Sequence, residues 1–457
     1  MKNYIYILFS LFICFGAQSS FALETVLQYS LTEISTPLAS NSDPKKKEKE
    51  VRLSSEKKVV LGEGFFLVKE GKQERIYDFK KRRIHYLNHQ LKTRSEMSLF
   101  SDSAFRMSEF QHRLSMDDVV VKAGGQALES PFILESIFGL EGERSVTKLT
   151  ENFVEDGKTH FLNDGKVVAE ISWLAKNRAP EGNMFSRFLV YDHSLHPLIR
   201  KKITESRQVP QVIRSFLSSA DANDQFILNL NSLSTQPDRG FKIPRHYSIS
   251  KKRPGAGPFA PVLDKLIQSI DSRKNKILKR DKEWFLNKAT QAEANKNYLD
   301  AALLVLEYGL QSGDQKTSSE EIKKLAVHQK DDVELDRFLR SLGIAGPEQA
   351  KRAILELGKL DRKKLSRAHV IDIMIANQQS VLGHLQEAEK RMLGALKLNP
   401  YLAGAYKDLG DMFYADFDMA SAWACWDFAR KQAPDHFMLK PIADYEADLL
   451  KNHPDFF

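Results

Sequence analysis

Hydrophobic positions change their spacing near residue 250. Upstream, apolar residues alternate with polar ones or come in short runs bounded by Gly, Asp and Pro, the pattern of strands with one face on a core. A first strand reads over Thr25–Ile34. Val59–Val68 and Glu74–Phe79 flank the turn Glu70-Gly71-Lys72, and Ile84–Asn88 and Thr93–Leu99 continue an antiparallel meander. Asn152–Val154, Thr159–Leu162 and Val167–Leu174 are joined by Asp156-Gly157 and Asp164-Gly165. Asp-Gly suits a two-residue hairpin because such a turn needs positive φ angles. Phe185–Tyr191, Leu198–Thr204 and Phe226–Leu230 read as further strands. Two helices interrupt them. One is Ser101–Leu114, with Ala104, Met107, Phe110 and Leu114 on one face, and the other lies near Pro131–Phe138.

Downstream the period becomes helical. A helix over 282–295 precedes Tyr298–Ala302, Leu306, Gly309 and Leu310; Leu335, Phe338 and Leu339, then Ala353, Ile354 and Leu357, mark further apolar stripes. In the last fifth of the chain one pattern occurs twice, 34 residues apart. The second copy holds Tyr406, Leu409, Gly410, Phe413, Ala422, Trp426, Ala429 and Pro434. The first holds Ile375, Ala376, Ala388, Met392, Ala395 and Pro400 at six of the same eight places, with Asp372 and Gln379 at the other two. Small residues let two antiparallel helices approach, and a proline after the second helix stops it.

In period and register this stretch resembles the tetratricopeptide repeat, a helix-turn-helix unit. The resemblance covers about residues 366–435 and fades upstream. It implies clear repeats at 369–402 and 403–436, with a solvating cap helix over 436–451. The first helix of each pair then lines a concave face, and Ile373, Asn377 and Ser380 share it with Lys407, Asp408, Asp411 and Tyr414. Asn377, Lys407, Asp408, Asp411 and Tyr414 are the candidate partner-binding residues. Asp408 and Asp411 beside Lys407 disfavour capture of a carboxylate and fit a partner that presents Lys, Arg or an amphipathic helix.

The expected fold class is α+β and multidomain: an antiparallel β-rich domain with a few helices, then an all-α repeat domain. Residues 1–22 read as a signal peptide, with Lys2, the apolar run Tyr4–Ala17 and cleavage after Ala22. The β-rich domain spans 23–250 and carries a charged, flexible insertion at 35–58. KKRPGAGPFAP at 251–261 is a Pro/Gly linker, and 262–457 is the helical domain. Secretion to a periplasm, or association with an outer membrane, follows from the leader.

The net charge of +8 concentrates at Lys45–Lys49 and within Lys251–Arg280. Read as solvated faces, these clusters carry no function; read otherwise, they meet anionic membrane lipid. A secreted chain has little reason to meet nucleic acid. Cys425 is the only cysteine after the leader, which leaves no internal disulfide, and it reads as a small buried hydrophobe. His193 and His196 read as exposed turn histidines without a metal-ligand partner, and Asp117-Asp118 and Asp331-Asp332 point apart. No nucleophile elbow, zinc helix or phosphate loop is present, so no enzyme activity, metal or cofactor is expected. Tyr77-Asp78 and Tyr191-Asp192 each precede a turn and a returning segment. In that respect the half resembles periplasmic lipoprotein-carrier sheets, which implies a curved half-barrel over an apolar groove. The expected function is therefore an adaptor for envelope proteins, with a lipid or lipoprotein carrier as the alternative.

Overall fold

The structure is a computed structural model that describes residues 23–37, 50–125, 127, 129–142, 147–154, 157–173, 183–193, 195–218, 222–250, 252–271, 277–342 and 346–457. The expected signal peptide and the Lys45–Lys49 cluster lie outside these residues. So do Lys251 and residues 272–276 of the second basic cluster.

Six strands open the chain as an antiparallel meander: β1 (Leu23–Pro37), β2 (Val51–Gly62), β3 (Phe65–Glu70), β4 (Gln73–Asp78), β5 (Arg83–Asn88) and β6 (Thr93–Ser98). Helices α1 (Leu99–Lys122) and α2 (Pro131–Phe138) follow, then β7 (Leu149–Val154), β8 (Lys158–Asn163) and β9 (Lys166–Trp173). Next come α3 (Met184–Asp192), α4 (Pro197–Ser206), β10 (Pro210–Ser218), β11 (Ala222–Pro237) and the short β12 (Ser248–Ile249). All twelve strands form one sheet, in the order β12-β6-β5-β4-β3-β2-β1-β11-β10-β9-β8-β7. The long seam between β1 and β11, from Leu23↔Pro237 to Pro37↔Ala222, joins the two meanders. Asp164 and Gly165 both take positive φ, as the hairpin between β8 and β9 requires.

Alternation gives the sheet its two faces. Leu27, Tyr29, Val59, Phe66 and Tyr77 face inward and form one core with Phe110 of α1, Phe138 of α2, Phe188 of α3 and Ile203 of α4. Each large apolar side chain buried there contributes about 1.5–3 kcal/mol. On the opposite face Val26, Val60 and Phe65 are covered by Phe241, whose segment runs across the sheet to reach β12.

Two expectations change here. Phe185–Tyr191 and Leu198–Thr204 lie in helices α3 and α4, not in strands. Runs of adjacent apolar residues fit either period, and the deciding signals were local: Pro197 in the first turn of α4, and His196 accepting from the Leu198 amide. The Tyr-Asp echo is therefore not two equivalent strand ends, although Tyr77 and Tyr191 do meet in the core, 4.8 Å between ring centroids. Of the charged insertion expected at 35–58, residues 35–37 and 51–58 belong to β1 and β2 and pair with each other from Ser35↔Val51.

The rest of the chain is helical. Helices α5 (Ala260–Asp271), α6 (Lys282–Ala294), α7 (Tyr298–Ser312), α8 (Gln315–Leu325), α9 (Val333–Arg340) and α10 (Pro347–Gly358) come first. The region of the twofold pattern supplies α11 (Ala368–Val381), α12 (Leu385–Leu398), α13 (Ala403–Ala415) and α14 (Met419–Gln432), and α15 (Lys440–Asn452) closes it. The chain is thus α+β with two regions, and its helical part fits a helical repeat. The regions are not independent. Phe100 and Ala104 of α1 are buried in the helical core, and Phe456 is buried in the sheet core. Arg83 of β5 pairs with Asp427 of α14 at 2.5 Å. The Pro/Gly segment is also held down: Arg253 donates to the Ala420 carbonyl and the Gly257 amide to Asp418.

Candidate binding surfaces

Helices α11 and α13 bring the five candidate partner-binding residues onto one surface, where they are largely one another's partners. Asn377 donates to Asp408 at 2.8 Å and Lys407 to Asp411 at 2.6 Å. Trp426 of α14 donates to both the Lys407 carbonyl and Asp411, each at 3.2 Å. The Tyr414 hydroxyl lies 3.1 Å from that of Tyr445, so α15 covers this end of the surface. Burial pushes the Asp408 carboxyl up to about 6, against the opposing pull of Asn377 and Lys407. Ile373 is fully buried, so it belongs to the packing between helices.

The residues of the repeat pattern sit where the helices approach. Ala376, Ala388, Ala395, Ala422, Ala429 and Trp426 are buried, as are Gly410 and Pro400, whereas Pro434 is exposed. A β-carbon on Gly410 would fall 2.3 Å from the Trp426 ring nitrogen. Cys425 is fully buried and its thiol is pushed well up by desolvation.

Two clefts lie away from these residues. One, of about 430 Å³, is bounded by α7, α8, Met374 of α11 and the turn at Phe437–Leu439. Leu306, Leu310, Ile322, Met374, Phe437 and Met438 make it apolar, and Lys323 stands at its rim. Leu306 and Leu310 carried a visible helical stripe, but nothing in the sequence tied them to Phe437. The other cleft, of about 480 Å³, holds Arg280, Arg367, His369 and the buried Glu307. His369 and Asn399 meet one Glu307 oxygen at 2.9 and 2.6 Å, and Arg367 reaches the other.

The two histidines near 195 are buried, contrary to the exposed turn expected for them. His196 lies 3.0 Å from Glu135 and stacks on Phe132, and Thr147 donates to the same carboxylate oxygen. These contacts brace α2 against α4. Burial pushes His193 down to about 4. Asp192, at the end of α3, accepts from Lys57 and Arg75 in the core. Among the described residues no group of three or more His, Cys, Asp or Glu side chains could hold a metal ion, and no helix is long and apolar enough to cross a membrane.

No protein-family model and no curated protein matches the chain. Among solved structures it is similar to one described as lipid-protein interactions in lipovitellin, with 11% sequence identity and a TM-score of 0.18. That likeness covers 94% of this chain, which spans 47% of the other. A score so low carries nothing over to this chain's ligand.

Proposed function

We propose that this chain is a non-enzymatic, secreted binding protein of the cell envelope whose helical region docks a partner protein. The observation that supports this best is the apolar cleft of about 430 Å³ at Leu306, Met374 and Phe437. Clefts of this kind take the apolar face of an amphipathic helix. The polar surface at Asn377 and Lys407 is already internally paired, so it contributes orientation more than affinity. The test is a photo-crosslinking residue at Phe437, which is 47% exposed, used in intact cells. A discrete protein adduct is expected, lost when Met374→Asp places a charge in the cleft. An adduct unchanged by Met374→Asp would sink the docking account.

A second reading concerns the sheet. Helices α1 to α4 lie over an apolar face, an arrangement that accommodates a lipid-like ligand if a covering segment moves. Native mass spectrometry of protein taken from its own envelope tests it. A co-purified amphiphile supports the reading, and ligand-free protein in every preparation counts against it.

A further inference from the structure

Among the described residues, the sheet core contains a buried charge that its surroundings leave largely unmet. Arg200 of α4 is 3% exposed. Its Nη2 donates to the Gly139 carbonyl at 2.8 Å, while Nε and Nη1 have no hydrogen-bond partner among the described residues. Three other cations of this interior are paired: Lys57 and Arg75 with Asp192, and Arg106 with Asp102 at 2.8 Å. No carboxylate of the described residues stands within ion-pair distance of Arg200. A buried cation left so is expensive unless something supplies the missing acceptors. Burial pushes Arg200 down to about 10, which leaves it a cation at neutral pH.

What lies beside it is apolar. Gly139 takes a left-handed conformation at the end of α2. An atom placed on its α-carbon would lie 3.6 Å from Arg200 Nη2 and 3.9 Å from the tip of the Phe456 ring, so guanidinium and ring share one small space. Phe456 belongs to a single 3₁₀ turn, Pro454–Phe456. The Tyr191 hydroxyl donates to the Phe456 carbonyl at 2.7 Å, and the buried Phe456 ring, edge-on to Tyr191, and the Phe457–Phe100 ring contact add to the hold on that turn. Arg187, over the Phe79 ring, likewise has an Nε without a hydrogen-bond partner among the described residues. The carboxylate whose field reaches both arginines is Asp455, on the same turn and exposed.

We propose that Arg200 anchors a binding site for an amphiphile with an oxyanion head, phosphate or carboxylate, entered when residues 454–457 swing away. The head fills the open Nε and Nη1 donors, in the forked geometry that guanidinium offers to such groups. The chain takes the place of the Phe456 ring beside Tyr191. This rests on the second reading above and is independent of the partner cleft.

Calorimetry on the full chain, with dodecyl phosphate, dodecanoate and neutral monododecanoylglycerol below their micelle concentrations, decides it. Wild type should bind both anions about ten-fold or more tighter than the neutral ester. Arg200→Met should erase that preference, keep binding of the ester, and melt no lower than wild type without ligand. Equal affinities in wild type, or a preference that survives Arg200→Met, would overturn the anion site while leaving the amphiphile reading intact. No binding of any of the three would end both. A large fall in the melting temperature of Arg200→Met would mark Arg200 as a structural brace and likewise overturn the site. Inorganic phosphate is the last arm: binding as tight as dodecyl phosphate would overturn the amphiphile in favour of a free anion.

Discussion

Glu389 on α12 shows how a single side chain sets a pH response. It is 1% exposed, and burial, reinforced by Asp416 and Asp418, pushes its carboxyl up to about 8 from an ordinary value of 4.5. Between those values the folded state holds a proton that the unfolded state has released, so stability falls as pH rises across that window. His193 and Asp408 change charge in the folded state near 4 and 6. Above about pH 6.5 Glu389 is therefore the main term of the three. Thermal melts of wild type should decline from pH 6.5 to 8, at most about 1.4 kcal/mol per pH unit. Glu389→Gln should flatten most of that decline, and an unchanged slope would refute the assignment. None of this was legible beforehand. A glutamate on a helix reads as solvated until the fold places two aspartates around it, and Arg200 was hidden in the same way.

At the scale of elements, α13 and α14 approach most closely at Gly410. The β-carbon that Gly410 lacks would meet the Trp426 ring and, at 3.1 Å, the Ala422 carbonyl. Backbone cannot yield as a side chain can, so Gly410→Ala should cost about 1–3 kcal/mol in urea unfolding. A neutral effect would mean that the helices separate freely. This pair was readable because spacing fixes it: Gly410 and Ala422 sit in a 34-residue register that also placed α11 and α12. The meander and its hairpins were readable for a related reason, since turn chemistry is local, as at Asp164 and Gly165. Helices α3 and α4 were not. Phe185, Phe188, Leu189, Val190 and Tyr191 are all buried, and a segment buried on most sides loses the periodicity that separates helix from strand. The candidate surface was half legible: the register placed its residues together, but not the Tyr445 lid or the cleft at Phe437.

For the whole molecule the composition break near residue 251 marks a change of secondary structure, while the cores interlock across it. Helix α1, from the first half, packs Phe100 and Ala104 in one core with α14 and α15 residues, and Phe456, from the second half, packs under α3. Separately expressed halves, 23–250 and 252–457, should each expose apolar surface and bind a hydrophobic dye. Mixed or co-expressed, they should assemble into a 1:1 complex with the full chain's circular dichroism. Two halves that stay apart and well folded would refute the interlock.

The same swap of anchors has a mechanical side. Each half grips the other at points besides the covalent join, so a pull on the helical region is borne by α1 and by the turn at Phe456 as well as by the Pro/Gly segment. Release of that turn would therefore slacken the coupling between the halves.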